Sequence, residues 1–123
     1  MDVLDATPTP PQLEALVTTM CIVGFADGEL TCDALGKLGH QLDQVGWCDR
    51  LSEHEIDVLL ERASERARAI AELSDAAARR REITRIAREL ETAPMRETAY
   101  AMATAIDPAA TAVLGALASA FAE

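Results

Sequence analysis

Apolar side chains return every three or four positions along most of this chain, which is the period of a helix with one buried face. Leu35, Leu38, Leu42 and Val45 follow a strict spacing of three, four and three. The β-branched and aromatic residues that favour strands are thin and scattered, and Ala, the best helix former, is abundant. Half the residues are apolar but only 3% are aromatic, so the core must be built from Leu, Ile, Val, Met and Ala. At 123 residues the chain has the length of one domain, able to bury roughly two thirds of its unfolded surface. The fold class this predicts is all-α, a compact single-domain bundle of about six helices.

Start and stop signals divide the chain. Residues 1–9 read as a flexible leader, with Pro8, Pro10 and Pro11 fixing an extended lead-in, and residues 10–123 as the helical domain. Helix 1 is expected over about residues 11–26, apolar nearly all round in its last turns and therefore central, with Gly28 ending it. Helix 2 follows Thr31 as N-cap and stops at Gly46. Gly36 and Gly39 inside it suggest a close helix approach. Ser52 with Glu55 is a capping box for helix 3, which is expected to reach about Leu73. Ser74-Asp75 opens helix 4, over about 75–91, with Arg79, Arg80, Arg81, Arg85 and Arg88 on a face read as solvated, the alternative being a site for a phosphate or acidic ligand, and with Arg85 and Glu89 one turn apart. Helix 5 is expected over about 94–106. Asp107 as cap and Pro108 in the first turn predict helix 6 over about 108–121. That helix carries no charge until Glu123, so it must be covered by the other helices or by a second subunit.

The formal net charge is −10, and its distribution is uneven. Residues 1–61 hold twelve acids against Lys37 and Arg50, whereas residues 62–123 hold nine acids and nine arginines. Such a surface repels phosphate backbones, so no nucleic acid is expected as a partner. The chain opens on acids and prolines, and no apolar run reaches the roughly 20 residues that a membrane span needs. The three cysteines, Cys21, Cys32 and Cys48, are odd in number and form no Cys-x-x-Cys pair, which reads as reduced thiols in a cytoplasmic protein.

The densest chemistry is Ala26-Asp27-Gly28-Glu29-Leu30 with Asp33 beyond it. Hard cations take oxygen ligands converging from a sharp turn, so Asp27, Glu29 and Asp33 are the candidate metal ligands, for Ca²⁺, Mg²⁺, Mn²⁺ or Zn²⁺. The order of an EF-hand loop is absent. An apolar helix ending in Asp27-Gly28-Glu29 and followed by an amphipathic helix resembles the TerB-like tellurite-resistance family, best over residues 13–42. The resemblance implies a small all-helical protein of two related halves, a stress-response role, and clustered acids that bind metal ions. Asp27, Gly28 and Glu29 match the family's first turn. The family's following Glu falls at Ala34, and the second turn falls at Asp107-Pro108-Ala109, which keeps only the Asp.

Other constellations are weaker. Glu53, Asp57 and Glu61 share one face of helix 3, as a solvated acidic run. No Glu precedes His40 or His54 by three residues, which disfavours a carboxylate-bridged di-metal bundle. Cys32, Cys48, His40 and His54 match no structural-zinc spacing. The expectation is a non-enzymatic TerB-like accessory or interaction protein, with a protein partner or a homo-oligomeric state and a weak divalent-metal site. The rival reading is a metal-free homodimer or partner-binding bundle using the uncharged helix 6 or the acidic first half.

Overall fold

The first helix starts where two reciprocal hydrogen bonds fix it. The Gln12 backbone N–H donates to the Thr9 hydroxyl, and the Thr9 N–H donates to the Gln12 side-chain oxygen at 2.9 Å. This is a capping box, and Pro10 and Pro11 fill the first turn, where no backbone donor is missed. In the computed structural model, which describes residues 8–26, 31–46 and 51–122, the chain forms α1 (Pro10–Gly24), α2 (Cys32–Val45), α3 (Glu53–Glu72), α4 (Ala76–Leu90), α5 (Ala93–Ile106) and α6 (Thr111–Phe121). The described residues form an all-helical bundle.

As its all-round apolar character requires, α1 is the axis and touches each of the other five helices. Residues 15–23 are buried without a break. Leu16, Val17, Met20 and Val23 are almost completely enclosed, and burying each contributes roughly 1.5–3 kcal/mol. Thr18 and Thr19 are fully buried too, with their hydroxyls donating to the Glu14 and Ala15 carbonyls at 2.7 and 2.8 Å. Those bonds within the helix let two polar side chains sit in the core unpenalised.

Three polar links register the outer helices. Arg66 on α3 grips Glu89 on α4 with both guanidinium nitrogens, one at 3.0 Å. Arg79 donates to the Leu73 carbonyl at 2.9 Å and so closes the connection between α3 and α4. The buried Gln12 amide donates to the Leu90 carbonyl at 3.2 Å, tying the start of α1 to the end of α4.

Several expectations are corrected. Helix 6 begins at Thr111 and has no side-chain cap. Asp107 ends α5 in an extended conformation, and its carboxylate accepts the Ala109 N–H at 3.1 Å, so it builds a turn over residues 108–109 instead of capping α6. Helix 1 ends at Gly24, with Phe25 as cap; Gly28 lies outside the described residues. In α2, Leu38 and Leu42 are buried but Leu35 is 41% exposed. The side chain of Val45 lies outside the described residues. A Cβ at Gly36 or Gly39 would meet no heavy atom within 4 Å, so these glycines mark no close approach. Arg85 pairs with Glu82, because Glu89 is taken by Arg66. Among the described residues no helix is long and apolar enough to cross a membrane.

Candidate functional site

Asp33 lies in the first turn of α2, behind the Thr31 cap, where the helix dipole favours an acid. It is exposed and pairs with Lys37 at 3.5 Å, one turn on. Asp27, Gly28 and Glu29, the rest of the expected metal turn, lie outside the described residues. Among the described residues no three His, Cys, Asp or Glu side chains group together as metal ligands. Cys32 and His40 do share one side of α2, in an exposed hollow with Asp33, Lys37 and Gln41. His54 belongs to a different groove, beside Pro8, Leu59 and Arg62, and Cys48 lies outside the described residues. The four-residue zinc constellation is therefore not assembled: His54 is set apart from Cys32 and His40. Glu53, Asp57 and Glu61 are exposed, as expected of a solvated face.

The remaining thiols differ sharply. Cys32 is exposed, whereas Cys21 is enclosed in α1, where burial pushes its thiol up to about 12. A thiol held protonated in this way is a small core residue and not a nucleophile.

Two further features appear, the first of which the sequence reading did not single out and the second of which it read as a solvated face by default. The first is a slot of about 520 Å³ between the end of α1, the α3–α4 connection and α6. Ile22, Phe25, Ile70 and Ile83 form its floor, and Ala112, Val113 and Ala116 of α6 form one wall. Arg79, Arg80 and Ser119 complete the lining, with Arg80 donating to the Ser119 hydroxyl at 3.3 Å. The Arg68 guanidinium lies 5.8 Å from the centre of the Phe25 ring. The signal for this slot was present in the sequence as alanines, Ala71, Ala76, Ala112 and Ala116, placed where larger side chains would close the gap.

The second feature is the outer face of α4. Arg80, Arg81, Arg85 and Arg88 line one strip with Ala77 and Thr84, and Arg81, Arg85 and Arg88 stack along the helix at spacings of four and three. All four arginines are exposed. Glu82 sits at the edge of the strip, 3.5 Å from Arg85. A row of guanidiniums on a chain of net charge −10 is a local reversal of sign. Guanidiniums suit carboxylates, which they bind in a planar, two-pronged geometry. In comparisons with known proteins, no family model, no curated protein and no solved structure matches this chain.

Proposed function

We propose that this chain is a non-catalytic helical interaction module that docks an acidic segment of a protein partner on the outer face of α4. The observation that carries this reading is the exposed row of Arg81, Arg85 and Arg88 on a strongly acidic chain. The negative charge elsewhere opposes a long polyanion such as nucleic acid, while a short acidic helix or peptide can meet the row alone. The probe is a polyglutamate peptide, titrated against the wild type and against Arg81→Glu/Arg85→Glu/Arg88→Glu, at low and at high salt. Exposed charge pairs contribute about 0.2–1 kcal/mol each, so losing three of them should weaken binding by about threefold to a hundredfold. Equal binding by the two proteins removes α4 as the docking face.

The likeness to the TerB-like family adds a stress-response role and a weak divalent-metal site at Asp27, Glu29 and Asp33 to the proposal. The support for that site is the Asp27-Gly28-Glu29 match and the placement of Asp33 in the next helix turn. The Asp33–Lys37 pair is no obstacle, because both side chains are solvated, at 82% and 49% exposure, and such pairs are weak. A thermal melt with chelator and then with Ca²⁺, Mg²⁺, Mn²⁺ and Zn²⁺ tests the site. A metal binding only the native state adds about 2.7 kcal/mol at a hundredfold excess over Kd. The rise should vanish in Asp27→Ala/Glu29→Ala, and no rise with any ion leaves the turn as a helix connection.

A further inference from the structure

We infer that the groove between the start of α1 and the first half of α3 docks a basic amphipathic helix of a partner protein. The groove has a volume of about 710 Å³. Pro8, Pro10, Pro11 and Leu13 form its α1 side, and Leu51, Val58 and Leu59 its α3 side. From Leu51 to Arg62 it follows α3 for about three turns, roughly 16 Å, which is room for a partner helix to seat apolar anchors one turn apart. The apolar residues of α3 divide accordingly. Ala63, Ala67 and Ile70 in its second half are buried, whereas Ile56, Val58, Leu59 and Leu60 in its first half are each only half-buried. The charges around the groove select the partner. His54, Val58 and Arg62 in the lining are each followed three positions on by an exposed acid, Asp57, Glu61 and Glu65, so an acidic edge runs along α3. Glu14 stands on the α1 side, and Glu55 accepts the Ser52 N–H through one oxygen. Arg62 is the base of the lining, and Glu61 and Glu65 flank it on the helix. Arg66, which feels the charge of Glu14, is held by Glu89. The acids repel anionic lipid and nucleic-acid surfaces. They also disfavour a second copy, because two such grooves face to face would set acid against acid. The arginine face of α4 does not fit either, since only Ala77 and Thr84 stand among its charges and no apolar ridge is there to enter the groove. The residues ahead of Pro8 carry Asp2 and Asp5 and no basic side chain, so their charge repeats that of the rim. The groove shares no residue with the docking face on α4.

The probe is a fluorescein-labelled peptide of about 15 leucines and lysines, its leucines three and four apart in one stripe, titrated against the whole chain at physiological salt. One control has the same composition with the leucines scattered, and another keeps the stripe with glutamate for lysine. The striped basic peptide should bind one to one and gain helicity, with amide shifts at Leu51, Val58 and Leu59. The scattered peptide should bind about tenfold more weakly, for want of an apolar stripe, and the glutamate peptide should leave those amides unmoved. Asp57→Asn/Glu61→Gln/Glu65→Gln should weaken the basic peptide by about threefold to a hundredfold. Asp33→Asn/Asp43→Asn/Glu97→Gln removes the same charge from α2 and α5 and should change affinity by less than about twofold, because exposed charges more than about 8 Å apart are largely screened. Both sets alter exposed side chains only, so the fold is kept. Val58→Asn keeps the charge, removes an apolar contact and should weaken binding about fivefold. The inference is overturned if the striped peptide fails to saturate, if the scattered peptide binds equally well, or if Val58→Asn changes nothing. Equal losses from the two triple variants overturn it too, since they reduce the effect to general attraction. A dimer in sedimentation that Val58→Asn dissolves would seat a second copy in the groove and has the same consequence. The polyglutamate titration reports on α4 alone, so the two readings fail separately.

Discussion

Raising the pH above 9 should expose the state of one thiol in the core. Cys21 lies in the buried run of α1 with none of its surface accessible. Removing water from around it penalises the thiolate and moves its pKa from 9.0 up to about 12. Below pH 9 the folded and unfolded chains both keep the proton, and the thiol makes no contribution to pH dependence. Between pH 9 and 12 the unfolded chain loses the proton while the folded chain holds it. The unfolded state then binds fewer protons, so stability falls as pH rises, by about 1.4 kcal/mol per pH unit. Cys21→Ala deletes the titrating group and one buried sulfur, whose loss costs about 1 kcal/mol at neutral pH. The wild type should therefore start ahead and lose its lead near pH 10, about one unit above the ordinary thiol value.

The assay is urea unfolding of both proteins at half-unit steps from pH 7 to beyond the crossing, with stabilities extrapolated to water. Every other ionisable group is present in both chains, so the difference isolates Cys21. A difference that stays constant through pH 10.5 would refute the claim that the thiol is held in a dry core. A thiol reagent gives an independent check, since in the native protein Cys21 should stay silent while Cys32 reacts.

Three further outcomes follow from the packing. Leu16→Ala opens a cavity beside a fully enclosed side chain and should cost about 3 kcal/mol, lowering Tm by roughly 12 °C in a scanning calorimeter. Glu89→Gln removes the carboxylate that compensates the half-buried Arg66 guanidinium and should cost about 1–2 kcal/mol in urea unfolding. The paired replacement Arg66→Met/Glu89→Leu should regain most of that loss, because no charge is left uncompensated. Gly36→Ala and Gly39→Ala should each raise stability by up to about 1 kcal/mol, because a methyl meets nothing there and the unfolded chain loses freedom. A fall in Tm in either would mean that α2 is approached closely after all.

The helices were legible because their signals are local. Thr31, Ser52 and Asp75 cap helices as read, and Leu38, Leu42, Ala63, Ala67, Ile70, Ile83 and Ile86 are buried where periodicity put them. The start of α6 was misread because Asp107 has two local uses. A carboxylate can cap a helix or bond two residues on within a turn, and the residue pair alone does not say which. Arg85 was misassigned for a different reason. The choice between Glu82 and Glu89 depends on Arg66, which is 23 residues from Glu89 in sequence and beside it in space. The slot was hidden in the same way, since its floor draws on α1, α3 and α4 and its wall on α6, and no window of sequence contains them together.

The uncharged α6 shows how composition alone misleads about covering. A helix with no charge was expected to be covered by the other helices or by a second subunit. The bundle buries only Leu114, Leu117, Ala120 and Phe121, one stripe at helical spacing. Of its other positions, Val113 is half-buried, and Thr111, Ala112, Gly115, Ala116, Ala118 and Ser119, all small, are exposed. A side chain of one carbon or none presents little apolar surface to water, and the hydrophobic cost scales with that surface. The exposed side of α6 therefore does not by itself demand a second subunit. The same smallness has a geometric consequence. Where Ala112 and Ala116 face Ala71 and Ala76 across the gap, α6 cannot fill the space over Ile22 and Ile83, and the slot remains. Replacing those alanines with leucines would add apolar contacts and remove the slot together. Ala116→Leu should therefore raise Tm, and an unchanged or lower Tm would refute the claim that the slot exists for want of large side chains on this helix.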